Sequence, residues 1–111
     1  MTGEEFERLC ADYFAARGLT VDLTPSSGDG GVDLVLTGDG RCVLVQCKQT
    51  RKPVGEPVGR DLYGAVHDAG ADAGIVCATG GFTAAAEAWA AGKPIELLNG
   101  ARIERGLRSS L

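Results

Sequence analysis

Three polar residues, Asp33, Gln46 and Lys48, lie in or beside two apolar, strand-like runs of the sequence. Burying a polar group is costly unless it is hydrogen-bonded or used in a site. A carboxylate and an amide oxygen are hard ligands that suit Mg²⁺. A lysine beside such an ion can orient a water molecule and stabilise charge developing on phosphorus. The three residue types therefore favour a metal-dependent site for hydrolysis of a phosphodiester.

A short turn between the two runs brings these residues together. Asp39 and Gly40 form a two-residue hairpin signal, because both turn positions need a positive φ. The resulting register places Asp33 opposite Gln46, with Lys48 two residues further along on the same face. Spacing alone also allows a plain ion pair between Asp33 and Lys48, with Gln46 merely hydrogen-bonded. The expected cross-strand pairs are Gly38 with Arg41, Leu36 with Val43, Leu34 with Val45, and Asp33 with Gln46.

Four sequence blocks carry a resemblance to a known family. They are residues 2–7 (TGEEFE), 27–33 (SGDGGVD), 45–48 (VQCK) and 78–83 (ATGGFT), the last followed by Ala86. In this order, and over nearly the whole chain, they resemble the signature blocks of the Mrr-type catalytic domain, a branch of the PD-(D/E)xK nucleases. The resemblance implies an α/β, restriction-endonuclease-like fold with an αβββαβ core and a mixed central sheet flanked by helices.

The resemblance also implies roles for individual residues and a Mg²⁺ cofactor, for which Mn²⁺ could substitute. The Gln46 position departs from the acidic residue of the wider superfamily, although the Mrr-like branch is known for it. A neutral amide binds Mg²⁺ more weakly than a carboxylate does. The implied roles are Asp33 as metal-binding aspartate, Gln46 as second metal ligand, the Cys47 backbone carbonyl as a further ligand, Lys48 as catalytic lysine, Glu7 as an acidic group of the first helix, and Asp29 in the Asp-Gly-Gly turn.

The overall charge does not match that of a free-standing DNA-binding domain, which is usually basic. The net charge is −4 and the sequence pI is about 4.9. Residues 41–60, however, contain five basic residues and one acidic residue, a local charge of +4. This segment could lie along a phosphate backbone or could be an ordinary solvated loop. We expect weak intrinsic DNA affinity. The candidate phosphate or DNA contacts are Asp29, Gly30, Gly31, Arg51, Lys52 and Arg60.

Composition predicts a single domain over residues 1–111 in the cytoplasm. The chain is long enough for one core, and no segment is apolar enough to cross a membrane. The N-terminus lacks the features of a signal peptide. The four cysteines show no C-x-x-C spacing, so we expect small buried side chains in a reducing compartment and not a zinc site.

The order of predicted elements is α-β-β-β-α-β-α-β-α. Thr2 and Glu5 have the spacing of a capping box at the start of the first helix, which Gly18 ends. Periodicity and turn signals predict the other elements. These are a strand at 19–23, a loop at 24–31, the hairpin strands described above, a helix at 57–69, a strand at 73–78, a helix at 83–91, an edge strand at 95–98, and a short last helix at 101–107.

Three functions remain open from the sequence. The first is a Mg²⁺-dependent DNA endonuclease that restricts foreign, often modified, DNA. The second is a structure-selective nuclease of the Holliday-junction-resolvase kind. The third is a non-catalytic DNA- or protein-binding module on the same fold. A homodimer would allow both strands of a duplex to be cut, and recognition of a modified base would need a separate or fused domain.

Overall fold

A computed structural model describes residues 1–24 and 31–109 of the protein. Nine elements follow one another in the predicted order, so the predicted fold class is confirmed. The described part of the chain contains no helix that is long and apolar enough to cross a membrane. The elements are α1 (Gly3–Ala16), β1 (Thr20–Leu23), β2 (Leu34–Gly38), β3 (Arg41–Lys48), α2 (Glu56–Ala69), β4 (Ala73–Ala78), α3 (Ala84–Ala90), β5 (Ile95–Asn99) and α4 (Gly100–Ser109).

The central sheet is mixed. Its five strands lie in the order β1-β2-β3-β4-β5. The first three strands pair antiparallel through short connections, whereas β3, β4 and β5 pair parallel. Parallel neighbours need crossover connections. The helices α2 and α3 supply them here. The strand β3 therefore joins an antiparallel half of the sheet to a parallel half.

Two apolar cores cover the two faces of the sheet. One core packs α1 and α4 against the sheet and contains Phe6, Phe14 and Leu34. The other packs α2 and α3 against the opposite face and contains Leu62 and Val76. Because side chains alternate between faces along a strand, residues 43, 45 and 47 of β3 face α1, and residues 42 and 44 face α2. The result is a three-layer arrangement with β3 at its centre.

Local signals fix most element boundaries. The Thr2–Glu5 capping box forms as predicted, and Gly18 follows the end of α1 with φ of 85°. The last helix is longer than predicted, since it runs from Gly100 to Ser109. Its Ile103 is fully buried against the α1 side of the sheet. Tertiary packing therefore extends a helix for which the sequence pattern alone gives a weaker signal.

Candidate active site

The predicted hairpin positions the candidate site. Asp39 and Gly40 both have positive φ, 52° and 76°, and the register of β2 with β3 runs from Gly38–Arg41 to Leu34–Val45 as predicted. The ladder then ends. Asp33 is not paired with Gln46 across the strands, which corrects one of the four expected pairs.

Asp33 lies at the point where β2 leaves β3. Its backbone N–H still donates to the carbonyl of Val45 at 2.8 Å, and its own carbonyl accepts from the N–H of Thr24 at 3.0 Å. Its carboxylate Oδ2 accepts a hydrogen bond from the backbone N–H of Cys47 at 2.7 Å. The carboxylate thus bonds the Cys47 N–H of β3, which lies beyond the last pair of the β2–β3 ladder. This side-chain bond replaces the expected Asp33–Gln46 pair and holds the carboxylate against β3.

Three ionisable residues interact around the end of the β2–β3 pair. Burial raises the pKa of Asp33, while the Cys47 N–H and the positive charge of Lys48 act in the opposite direction. Burial also raises the pKa of Glu7, and the negative charge of Asp33 raises it further. Both interactions need the groups to be close. The structure therefore brings Lys48 of β3 and Glu7 of α1 near to Asp33.

Gln46 lies on the α2 side of β3 and is 7% exposed. Its Oε1 atom is buried and has no hydrogen-bond partner among the described residues. Gly31 approaches its amide so closely that a Cβ added there would lie 2.5 Å from Nε2. A buried polar atom without a partner costs about 1–3 kcal/mol. A cation at Oε1 would remove that cost, so Gln46 has the chemistry of a ligand position. Among the described residues, no hydrogen bond joins Gln46 to Asp33.

The candidate DNA contacts are distributed around this end of the sheet. Arg51 and Lys52 are exposed on the loop after β3. Arg60 is on α2 and lines a cleft with Gly31 and Gln46, where it also forms an exposed ion pair with Glu56 at 3.4 Å. Exposed pairs of this kind contribute little to stability, so Arg60 remains available to a phosphate. Asp29 and Gly30 lie outside the described residues.

Two threonines that sequence reasoning did not assign to the site support it. The hydroxyl of Thr79 accepts from the backbone N–H of Thr50 and donates to the Thr50 carbonyl, both at 2.9 Å. This pair of bonds ties the loop after β3 to the residue that follows β4. The hydroxyl of Thr24 donates to the carbonyl of Val32 at 2.6 Å, next to Asp33. Thr79 lies in the 78–83 block that carries the family resemblance, whereas Thr24 has no sequence signal that distinguishes it from an ordinary loop residue.

Comparison with protein families decides the identity of the fold. Residues 1–107 match the family model of the Mrr catalytic domain, described as a restriction endonuclease. The chain belongs to the Mrr restriction endonuclease family. No curated protein sequence matches it. The match includes all four sequence blocks that carry the resemblance, since they lie within residues 2–86.

Solved structures share the Mrr fold at low sequence identity. The DNA modification-dependent restriction endonuclease AspBHI is 20% identical, with a TM-score of 0.76 over 96% of this chain. The MspJI restriction endonuclease, solved in complex with a 27-mer oligonucleotide, is 24% identical, with a TM-score of 0.72 over 93% of this chain. A protein of unknown function, AF1548, is 19% identical with a TM-score of 0.77 over 93% of this chain. The chain spans 31% of AspBHI, 27% of MspJI and 64% of AF1548.

Proposed function

We propose that this Mrr-family chain is a catalytic domain, residues 1–111, that cleaves DNA phosphodiesters in a divalent-metal-dependent reaction and acts in DNA restriction. The observation that carries the proposal is the carboxylate of Asp33, fixed by the N–H of Cys47 within the electrostatic range of Lys48 and Glu7. If Asp33 and Lys48 formed only a structural ion pair, nothing would require Gln46, on the same strand as Lys48, to keep its amide oxygen buried and without a hydrogen-bond partner.

The residues present fit a hard divalent cation. Asp33 offers a carboxylate, Gln46 offers the unpartnered Oε1, and Cys47 offers a backbone carbonyl. Mg²⁺ takes oxygen ligands and is usually held by one or two carboxylates together with substrate phosphate and water. When bound, such an ion polarises the phosphoryl group and lowers the pKa of its water. We propose Mg²⁺ as the cofactor, with Mn²⁺ as a substitute.

The side chains of the chain have separate tasks in this proposal. The ammonium of Lys48 orients the attacking water and stabilises the negative charge that develops on the phosphate oxygens. Glu7, whose pKa is raised by burial and by Asp33, is the group suited to hold a proton near the site. Asp33 holds its place through the Cys47 N–H, so its carboxylate needs no rearrangement to act.

DNA is the proposed partner. Arg51, Lys52 and Arg60 provide positive charge beside the site, and Gly31 lines the same cleft as Gln46 and Arg60. Because AspBHI and MspJI are about three times as long as this chain, we propose that recognition of modified DNA, if this protein performs it, requires a separate or fused domain. A homodimer would supply the two sites needed to cut both strands, and a cytoplasmic location agrees with restriction.

The test is cleavage of supercoiled plasmid with Mg²⁺ or Mn²⁺, with EDTA as the blank. Lys48→Ala is compared with Lys93→Ala, a lysine that precedes the start of β5, whereas Lys48 lies at the C-terminal end of the parallel strand β3. We expect metal-dependent nicking or linearisation by the wild type and Lys93→Ala and none by Lys48→Ala. Equal cleavage by Lys48→Ala would refute the site assignment, and no cleavage by the wild type would favour a non-catalytic module.

A further inference from the structure

Three of the four cysteines meet on the face of β3 opposite Gln46. Cys10 comes from α1, Cys47 from β3 and Cys77 from β4, where the parallel register pairs Cys47 directly with Cys77. Their sulfur atoms all lie within 4.8 Å of one another. Cys10 and Cys77 are fully buried and Cys47 is partly exposed. The chain thus concentrates three thiols at one point in an apolar core.

Burial alone does not require this convergence. A free cysteine commonly packs as a small hydrophobe, and the core around these three is otherwise apolar, so packing as such does not call for sulfur at all three positions. Metal–sulfur bonds of about 2.3 Å place three sulfurs around one ion about 4 Å apart. Sulfurs already within 4.8 Å of one another therefore need to approach by less than about 1 Å to hold an ion.

The ligand type selects the ion. Thiolates prefer soft ions such as Cu(I) or Zn²⁺, and they disfavour Mg²⁺, which takes oxygen ligands. In the described part of the chain, no histidine, further cysteine or carboxylate joins these three sulfurs as a fourth ligand. We propose that Cys10, Cys47 and Cys77 form a three-thiolate site for one soft metal ion of the Cu(I) or Zn²⁺ class. Each thiol releases its proton to solvent as its sulfur binds, and no electron is transferred.

Cys47 connects this soft-metal site to the candidate active site. Its side chain belongs to the thiol cluster, while its backbone N–H donates to the Asp33 carboxylate at 2.7 Å. An ion that pulls the Cys47 sulfur inward acts on the same residue that positions Asp33. We therefore expect soft-metal loading to lower Mg²⁺-dependent cleavage, and this second part of the proposal rests on the proposed nuclease function.

Binding is tested on the reduced full chain without any activity measurement. Zn²⁺ and, under anaerobic conditions, Cu(I) are titrated separately against a chelator, and bound metal is counted by native mass spectrometry. We expect one equivalent in the wild type. In Cys10→Ser we expect binding weaker by more than about 100-fold, since loss of an outer-shell partner alone costs about 10- to 100-fold. The ion that binds more tightly distinguishes the Cu(I) class from the Zn²⁺ class.

Cys42 provides the matched control because it lies on β3 but faces α2 and belongs to the other core. Cys42→Ser should bind metal as the wild type does. Cys10→Ala is measured beside Cys10→Ser in case serine unfolds the core, with circular dichroism as the check of folding. No stoichiometric binding by folded wild type, or equal weakening by Cys42→Ser, would overturn the site. Unchanged cleavage by the metal-loaded wild type would overturn only the link to Asp33.

Discussion

Substitution of Gly31 by alanine tests whether the position of the Gln46 amide matters. Gly31 has φ of 71°, and a Cβ there would lie 2.5 Å from Nε2 of Gln46, whereas an ordinary contact begins at 3.4 Å. The amide must therefore retreat by about 1 Å. A displacement of this size near reacting groups can lower a rate by about 100-fold. We expect Gly31→Ala to lose metal-dependent cleavage to about that extent.

Gly40→Ala is the matched control for backbone strain. Gly40 has a similar φ of 76°, and a Cβ there would meet no atom within 4 Å. An alanine held at positive φ lowers the free energy of unfolding by about 1–2 kcal/mol. The Gln46 amide is the end of a flexible side chain and can move cheaply. The two variants should therefore lose similar free energies of unfolding, which corresponds to urea midpoints lower by roughly 0.5–1 M.

Urea unfolding and plasmid cleavage on the same preparations separate the two effects. The expected pattern is equal loss of stability in both variants and loss of cleavage in Gly31→Ala alone. If Gly31→Ala cleaves as well as Gly40→Ala, the close approach of Gly31 does not position Gln46 for catalysis. If both variants lose cleavage equally, the cause is general instability, and the reasoning from the 2.5 Å contact fails.

Three further predictions follow from the ionisable groups, the basic loop and the threonine pair. Burial and the charge of Asp33 raise the pKa of Glu7 in the folded protein, so its ionised form destabilises the fold at neutral pH. Glu7→Gln should therefore raise the free energy of unfolding at neutral pH in EDTA. The gain in free energy of unfolding should vanish at a pH below the ordinary carboxyl pKa, where Glu7 is protonated in both the folded and the unfolded state. A gain that persists in acid would contradict the prediction. The double variant Arg51→Ala/Lys52→Ala should lower the salt slope of DNA binding by about 2, and Arg41→Ala at the other end of β3 should not. Thr79→Val loses two hydrogen bonds and should lower the free energy of unfolding by about 1–3 kcal/mol in urea titration, and an unchanged midpoint would refute that contribution.

Sequence predicted the hairpin well because its determinants are local. Asp39 and Gly40 set the turn, and the register then follows residue by residue up to Leu34–Val45. The same reasoning failed at Asp33, where one side-chain bond to the Cys47 N–H ends the ladder. The Cys47 N–H can be bonded either by the Asp33 carboxylate or by the backbone of β2. Which of the two forms depends on the path of the chain before β2, and the alternation of apolar residues alone does not predict that path.

The cysteine cluster shows a different limit of sequence reasoning. The expectation of small buried cysteines without metal spacing came from short-range motifs. Cys10, Cys47 and Cys77 belong to three elements, and only the packing of α1 on the parallel pair β3–β4 brings them together. The assignment of catalytic roles to Asp33, Gln46, Lys48 and Glu7 stays a prediction. The structure supports it through proximity and burial.

The mixed sheet has a consequence for the order of folding. The β2–β3 hairpin closes a loop of only a few residues, whereas the parallel pairs β3–β4 and β4–β5 must wait for intervening helices. Short loops close fastest and long-range parallel pairing is slow. We therefore expect β3, which carries Gln46 and Lys48, to pair with β2 early, and Cys77 to reach Cys47 late. A nascent chain would thus contain the β2–β3 hairpin before it contains the layer that completes the core beneath it.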